Sequence, residues 1–542
     1  MGLARHFERT IDPAKTMSQT KILPLGQSGF PYLRESGAIY VDKTEMIYKM
    51  ASNPAKIFLA RPRRFGKSLL VSALESLFRH GLKDFHGLAI EKLWNDKTYD
   101  VVRLDFSAIK NFSNIKEFTF KFQQLITTCF EKVGFSSKED EDISLQLGNW
   151  LYDRPSGTLV ILIDEYDAPL TSTLDNATLF HEVRQVLSNF YIQLKINSNS
   201  LRFLFLTGIT KYSSASIFSE FNDFDDISLN PDYGTLLGYT EQEILINFSE
   251  HLNQACHILN LTQNELLNEL RKYYNGFCFD ELACTHVFCP WSVLKFLSNP
   301  KLGFKNYWYS SGGNASVLQK YLTTHALSDP TSYGEIQEVP LSDLENSRTY
   351  ESLDARILLT QAGYLTIKDV GTDRWVQLGY PNQEVAISMA ELYANELLKG
   401  KRLKKPGAPA ISEVLENGSI EETVNYFNWI FNTIDYQDYP VTSESRCRTL
   451  LQILLRGGGI EAQAERHSAL GRSDLEVDIG MRHWVFEFKF AKEHAMVESL
   501  LRQAVEQIQS RRYGEHPHGR SLIRVALVFD AEKRAFVRWA TA

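Results

Sequence analysis

The chain has 542 residues, of which 44% are hydrophobic, 12% aromatic and 23% charged, which excludes a disordered, collagen-like or coiled-coil molecule. At roughly 100–200 residues per domain the length predicts about three or four domains. Net charge is −8, which argues against non-specific polyanion binding by the whole chain; residues 441–542 nevertheless carry 16 Lys and Arg against 13 Asp and Glu, so a phosphate-backbone contact is expected there.

Residues 1–20 read as an N-terminal extension without strong pattern, with Met17 an alternative start. Its charges stand where a signal peptide needs an apolar core, and His6 stands where a myristoylation signal needs Ser or Thr. No apolar run approaches the ~20 residues of a membrane helix, so no membrane partner and a cytoplasmic location are expected. Helical and extended patterns then alternate over residues 21–235, predicting an α/β domain with a mostly parallel sheet. Residues 236–345 read as mainly helical, and a strand–turn–strand pattern lies at Gly363–Tyr380, with Gly371-Thr372-Asp373 in the turn. These together are expected to form a mainly helical connecting region with a small β-hairpin over 236–400. The basic, Gly- and Pro-containing stretch Lys399–Pro409 is the expected linker to a last domain, 401–542. There, helical patterns cover Ser412–Ile434 and Ser445–Leu455, extended runs follow, and a helix near His494–Arg511 precedes a last strand, Ser521–Phe529. Six scattered cysteines are too few for a disulfide framework. Cys278, Cys284 and Cys289 with His286 lack the paired spacing of a zinc site, and reduced cysteines are the better reading.

Two groups of residues carry chemistry. The apolar run Lys56–Ala60 leads into RPRRFGKSLL, where Gly66-Lys67-Ser68 opens an amphipathic helix. Strand, loop, Gly-Lys-Ser and helix is the geometry in which backbone N–H groups and a helix N-terminus hold phosphates. Arg61, Arg63, Arg64, Phe65, Gly66, Lys67 and Ser68 thus form the candidate nucleotide cradle. Lys67 would neutralise the β- and γ-phosphate oxygens and Ser68 would take a Mg²⁺ position. Arg61 replaces the first glycine of G-x4-G-K-[ST], and Pro62 is expected to stiffen the loop instead. About a hundred residues on, TLVILIDEYDAP ends a buried strand in Asp164-Glu165, with Asp164 expected to hold Mg²⁺ and Glu165 to polarise the attacking water. A third strand, LRFLFLTGIT, places Thr207 where it could sense the γ-phosphate.

The second group lies in GRSDLEVDIGMRHWVFEFKFAKE. Leu475, Val477 and Ile479 alternate with Asp474, Glu476 and Asp478, Gly480-Met481-Arg482 turns the chain, and Phe486, Phe488 and Phe490 alternate with Glu487 and Lys489. This predicts a hairpin of half-buried strands whose polar face carries Asp474, Glu487 and Lys489. Two carboxylates suit a hard divalent cation, Mg²⁺ or Mn²⁺, while the lysine can position water and offset phosphate charge. Glu444 on an upstream helix and Gln507 on a downstream helix flank the group; a solvated hairpin face is the bland alternative for the spacing alone.

With these motifs the chain resembles the bacterial and archaeal family that joins an AAA-ATPase-like domain to a C-terminal nuclease domain of the PD-(D/E)XK superfamily. The resemblance runs from about residue 21 to the end through LPLGQSGFPYLRESGAIYVDKT, RPRRFGKSLL, LIDEYDAPL, LTGITKYSSASIFSEFND, YYNGFCFD, NYWYSSGG, QAGYLTIK, LGYPNQEV, GRSDLEVDI and FEFKF. Arg61 in place of glycine is how this family usually reads. The resemblance implies an AAA+-like parallel sheet with the Thr207 strand beside the phosphate-loop strand, a helical lid over 236–400, and an α-β-β-β-α-β nuclease core. Lys67 and Ser68 match Walker A positions, and Asp164 and Glu165 match Walker B. Asp474, Glu487 and Lys489 match the nuclease triad, Glu444 the acidic position of the first core helix, and Gln507 the late glutamine. The segment before Arg446 reads SES, without the tyrosine that similar members show soon after that acidic residue. The implied function is an ATP-binding and ATP-hydrolysing, Mg²⁺-dependent nuclease on nucleic acid, with DNA the expected substrate, in defence or mobile-element biology, and a homo-oligomer. The alternative is a nucleotide-driven switch or assembly ATPase whose nuclease-like domain only binds nucleic acid or a partner. Arg202, Arg271 and Arg356 are candidate arginine fingers, each better read as an ordinary ion-pair arginine.

Overall fold

The computed structural model describes residues 21–138, 142–211, 224–310, 334–345, 354–398, 410–434, 436, 439–464, 467–468, 471–514 and 519–542. The N-terminal extension, the expected linker Lys399–Pro409 and residues 212–223 of the motif after the Thr207 strand lie outside them. The chain forms two compact units: the first takes Met1–Tyr307, Leu341–Leu353 and Gln361–Gly363, the second Trp308–Pro340, Asp354–Thr360 and Tyr364–Ala542.

The first unit is built on a wholly parallel sheet. Strands β1 (Ala55–Ala60), β2 (Asp100–Asp105), β3 (Leu159–Asp164), β4 (Leu201–Gly208) and β5 (Asp225–Asp226) lie in the order β2-β3-β4-β1-β5. The Thr207 strand β4 therefore sits between β3 and the phosphate-loop strand β1. Every residue of β3 and β4 is buried, which is why both read as continuous apolar runs rather than alternating ones. The register aligns Leu59 with Thr207 and Ile163 with Leu206, so the carboxyl ends of all three strands open on one edge, where open α/β sheets bind ligands. Helix α1 (Lys67–His80) follows β1 and buries Leu70, Ala73, Leu74, Leu77 and Phe78. Helices α2 (Glu241–Asn247), α3 (Ser249–Leu259), α4 (Gln263–Tyr274) and α5 (Pro290–Ser298) share a core of Ile244, Phe248, Leu252, Leu266, Leu270 and Phe296, which also takes in Ile39 and Val41. The helical segment thus belongs to the same unit as the sheet.

In the second unit, β6 (Gln337–Pro340), β7 (Thr366–Val370) and β8 (Trp375–Gly379) form an antiparallel sheet in the order β6-β8-β7, with Gly371 N–H bonded to the Trp375 carbonyl across the expected turn. Helix α6 (Gln383–Leu397) follows. The expected helix over Ser412–Ile434 is two, α7 (Ile411–Asn417) and α8 (Ile420–Thr433), because Ser419 and Glu422 form a capping box directly after Gly418. Then come α9 (Glu444–Gly457), β9 (Ala462–Ala464), the short pair β10 (His467–Ser468) and β11 (Gly471–Arg472), β12 (Leu475–Ile479), β13 (Arg482–Ala491), α10 (Val497–Arg511), β14 (Ser521–Asp530) and β15 (Ala535–Thr541). The main sheet runs β15-β14-β13-β12-β9, with β13 and β14 parallel and the other neighbours antiparallel. The strand expected to be the last, Ser521–Phe529, is β14, and it is followed by β15, which pairs with it antiparallel. The hairpin turn is the two residues Gly480-Met481, because Arg482 already pairs with Ile479.

The half-buried reading of the hairpin needs correction. β13 is the middle strand of five and both its faces are covered. Phe486 and Phe488 meet Phe427 of α8 and Phe536 of β15 at ring distances of 5.4 and 5.9 Å. On the opposite face Val485 packs with Ala504 and Ile508 of α10 and Ala526 of β14. Glu487 and Lys489 share that second face and are buried, at 0% and 8% exposure. Phe488→Ala is expected to lower stability by about 3–5 kcal/mol as a large core truncation. Denaturant unfolding tests this, and a loss below about 1 kcal/mol would mean that the aromatic face is not core.

Candidate functional site

The phosphate loop holds its shape through two left-handed residues, Arg64 (φ 74°) and Gly66 (φ 99°). Gly66 adopts that conformation without a Cβ penalty and starts α1. Lys67 is buried and its Nζ donates to the carbonyls of Arg61 (2.9 Å) and Pro62 (3.0 Å). Burial pushes its pKa down, opposed by Asp164, Glu165 and Asp167. Asp164 ends β3, and burial raises its pKa against a hydrogen bond from the Ser68 hydroxyl and the charge of Lys67. Glu165 is left-handed (φ 48°), and burial raises its pKa against Lys67 and Arg63. Lys67, Ser68, Asp164, Glu165 and Arg63 are therefore within one electrostatic neighbourhood.

Three loop residues expected in the cradle are spent on structure. The buried Arg61 guanidinium donates to the carbonyls of Ala60 (2.9 Å), Ser228 and Tyr233 (3.2 Å) and lies 4.5 Å above the Phe279 ring; burial pushes its pKa down to about 9. Phe65 is buried between Phe277 and Phe279, at 4.9 and 5.0 Å. Arg64 covers the Trp291 ring at 4.3 Å. Thr207 is fully buried and its hydroxyl donates to the Leu59 carbonyl (2.8 Å), which ties β4 to β1. Its position at the strand end is as expected, but its hydroxyl already has an acceptor. Sequence reasoning missed Asp167, whose Oδ2 accepts from the Ile209 N–H (3.1 Å), the Thr210 N–H (2.9 Å) and the Thr210 hydroxyl (2.6 Å). A Cβ at Gly208 would stand 2.3 Å from Asp167 Oδ1 and 2.6 Å from the Tyr166 ring, so only glycine fits beside this brace. The DEYD spacing was the available signal. The three arginine-finger candidates are all ion-paired: Arg202 with Asp96 (2.8 Å), Arg271 with Glu241 (2.5 Å) and Arg356 with Asp354 (2.7 Å).

In the second unit, carboxylate oxygens of Glu444, Asp474 and Glu487 lie within 4.8 Å of one another. Ser443 caps α9 through the Arg446 N–H (3.2 Å) and so sets Glu444 in the first turn. Asp474 is fixed by the Phe488 N–H (2.8 Å) on its Oδ2, while Arg448 approaches its Oδ1 at 3.7 Å. Lys489 Nζ donates to Glu487 Oε1 (2.9 Å) and the Phe488 carbonyl (3.1 Å) and pairs with Glu444 Oε1 (3.4 Å). Glu487 Oε2 is buried with no hydrogen-bond partner among the described residues. Burial, then the Asp474 charge, pushes the Glu487 carboxyl up to about 7. Burial also raises Glu444, as does Asp474, against Lys489. For Lys489 burial acts downward, but Glu487, Glu444 and Asp474 together outweigh it and the pKa rises. Three converging carboxylates, one with an orphaned buried oxygen, fit a hard divalent cation. The Gln507 amide donates to the Tyr513 hydroxyl (3.3 Å). Arg448 was missed; it stands at i+4 from Glu444, the spacing that puts both on one helix face.

Residues 24–218 match the family model described as "Predicted AAA-ATPase", and residues 442–539 match that of the PD-(D/E)XK nuclease superfamily. A protein of Azotobacter chroococcum mcd 1, described as "Uncharacterized protein in vnfD 5'region", is 27% identical over 542 residues, covering 96% of this chain and 98% of its own. No helix among the described residues is long and apolar enough to cross a membrane. The first match ends beyond β4 and the second spans α9 to β15, so the chain joins an AAA-ATPase-like domain to a C-terminal domain of the PD-(D/E)XK nuclease superfamily.

Proposed function

We propose that the first unit binds and hydrolyses ATP, and that the second cleaves nucleic-acid phosphodiester bonds, DNA foremost, with a divalent cation. The observation that carries the nuclease reading is the convergence of Glu444, Asp474 and Glu487 with Lys489 on two of them. These three carboxylates would hold Mg²⁺ or Mn²⁺, which supplies Lewis-acid polarisation of the phosphate and an acidified water. Lys489, held by Glu487 and the Phe488 carbonyl, faces the same group and is placed to orient water and offset charge developing on phosphate oxygens. In the first unit Ser68 and Asp164 would hold Mg²⁺. Lys67 exchanges its carbonyl acceptors for β/γ-phosphate oxygens, and Glu165 orients the attacking water.

A cleavage panel over single- and double-stranded DNA and RNA, with and without ATP and either cation, tests the nuclease. A cation-dependent product that Asp474→Asn fails to make is expected. Binding without cleavage under every condition would favour the switch reading instead. For the ATPase, Lys67→Ala is expected to lose most nucleotide affinity, while Glu165→Gln binds ATP but turns it over at least ~10²-fold more slowly. Wild-type turnover by Glu165→Gln would remove Glu165 from the role assigned to it.

A further inference from the structure

Beside the acidic group the second unit contains a polar cavity of about 820 Å³, bordered by Arg446, Arg448 and Arg456, with Gln452, Tyr380 and Ser445 also on its wall. Among the described residues of the wall there are three arginines and one carboxylate, Glu335. The cavity adjoins the carboxylates: Ser443 and Ser445 on its wall flank Glu444, and Arg448 reaches Asp474 at 3.7 Å. Arg448, Gln452 and Arg456 follow one another at i+4 along α9, which puts them in a row on one helix face, about 6 Å per step. Arg456 is braced by its Nε bond to the Ala462 carbonyl (2.6 Å), and the Gln452 amide also points to that carbonyl (3.4 Å). The volume lies near the top of the ~300–1,000 Å³ range of ligand clefts, more than a lone phosphate requires.

We propose that this cavity binds a single nucleic-acid strand, with Arg446, Arg448 and Arg456 on its backbone phosphates to one side of the bond to be cut. This assignment rests on the nuclease reading for its orientation but not for its chemistry. Fork-shaped guanidinium groups suit phosphate oxygens. Arg448 and Arg456 lie two such steps, about 12 Å, apart along α9 with Gln452 between them, close to the span of alternate phosphates on an extended strand. A concave wall takes a strand end or an unpaired segment, whereas the convex body of a duplex cannot enter it. Tyr380 also borders the cavity, and aromatic side chains are common stacking partners for unpaired bases.

The test uses the full chain in EDTA with a fluorescein-labelled oligothymidylate, followed by anisotropy across a salt series. Arg446→Gln is expected to weaken binding about tenfold and to lower the slope of log K against log salt by about 0.7. Ser445→Glu, at an exposed position, is expected to weaken binding similarly by setting a negative charge among the phosphates, and it decides the matter if Arg446→Gln misfolds. An unlabelled single strand should displace the probe, whereas ADP and a blunt duplex of the same sequence should not. In cation-supplemented cleavage both variants should raise KM more than they lower kcat. Asp474→Asn should lose cleavage yet keep the probe, so a failure of the nuclease reading shows as absent wild-type cleavage with the binding pattern intact. Wild-type affinity and salt slope in both variants, or displacement by ADP or by blunt duplex as strong as by single strand, would overturn the cavity assignment.

Discussion

Lys489→Met is expected to abolish cleavage, by about 10³-fold or more, and to destabilise the folded chain by about 1–3 kcal/mol near neutral pH. The kinetic loss follows from removing the ammonium held on both Glu487 and Glu444. The stability loss follows from burial: Glu487 is 0% exposed, and breaking a buried pair from one side commonly costs about 3–5 kcal/mol. The smaller figure is expected because the Glu487 carboxyl, already pushed up to about 7, takes a proton when its partner leaves. The double variant Lys489→Met/Glu487→Gln should therefore recover most of the stability and none of the cleavage. Melting and nicking assays on the single and double variants separate the two roles. Cleavage surviving in Lys489→Met would sink the catalytic assignment. A double variant no more stable than the single one would show that the pair is not coupled as described.

The sequence disclosed this site through residue types and spacing, but not its depth. FEFKF alternates, and alternation is the pattern of a strand with one wet face. Polar residues on a catalytic face and on a solvated face produce the same string. The distinguishing signal was Val485 and Ala491, two apolar residues in phase with Glu487 and Lys489, which α10 and β14 cover. The strands β1, β3 and β4 were legible as short apolar runs each ending in a polar motif, whereas the place of β4 beside β1 came from the family resemblance. Hydrogen-bond commitments were not legible. Thr207 sits at the expected strand end, yet nothing in its neighbours in the chain reveals that its hydroxyl belongs to Leu59, which lies 148 residues earlier. The brace from Asp167 to Thr210 is hidden for the same reason, since its partners are joined only by the parallel register of the sheet. β15 escaped notice because it is an edge strand, with Arg538 and Trp539 exposed and Phe536 buried against α8.

Arg61→Gly, which would restore the glycine that opens G-x4-G-K-[ST], is expected to destabilise the first unit by about 2–4 kcal/mol and to weaken ATP binding. Glycine is useful there where the backbone must turn left-handed, but the residues that do so in this loop are Arg64 and Gly66. Position 61 needs no such freedom. Its side chain instead supplies charge-assisted hydrogen bonds to the carbonyls of Ala60, Ser228 and Tyr233 and covers the Phe279 ring. Removal leaves those buried acceptors without their donor and opens a cavity beside Phe65, which meets the same Phe279 ring edge-on. Relief of the buried charge, evident in a guanidinium pKa lowered to about 9, offsets part of the loss and keeps the expected figure below the sum of the bonds. Nucleotide affinity falls with it because the loop that carries Gly66 and Lys67 loses the guanidinium that ties it to the Ser228 and Tyr233 carbonyls. Arg61→Lys should recover little, since a single ammonium cannot span the three carbonyls that the planar fork reaches. Thermal melts with and without ATP, on the glycine and lysine variants, test the point. A glycine variant as stable as the wild type and binding ATP equally well would mean that Arg61 fills the glycine position by tolerance alone.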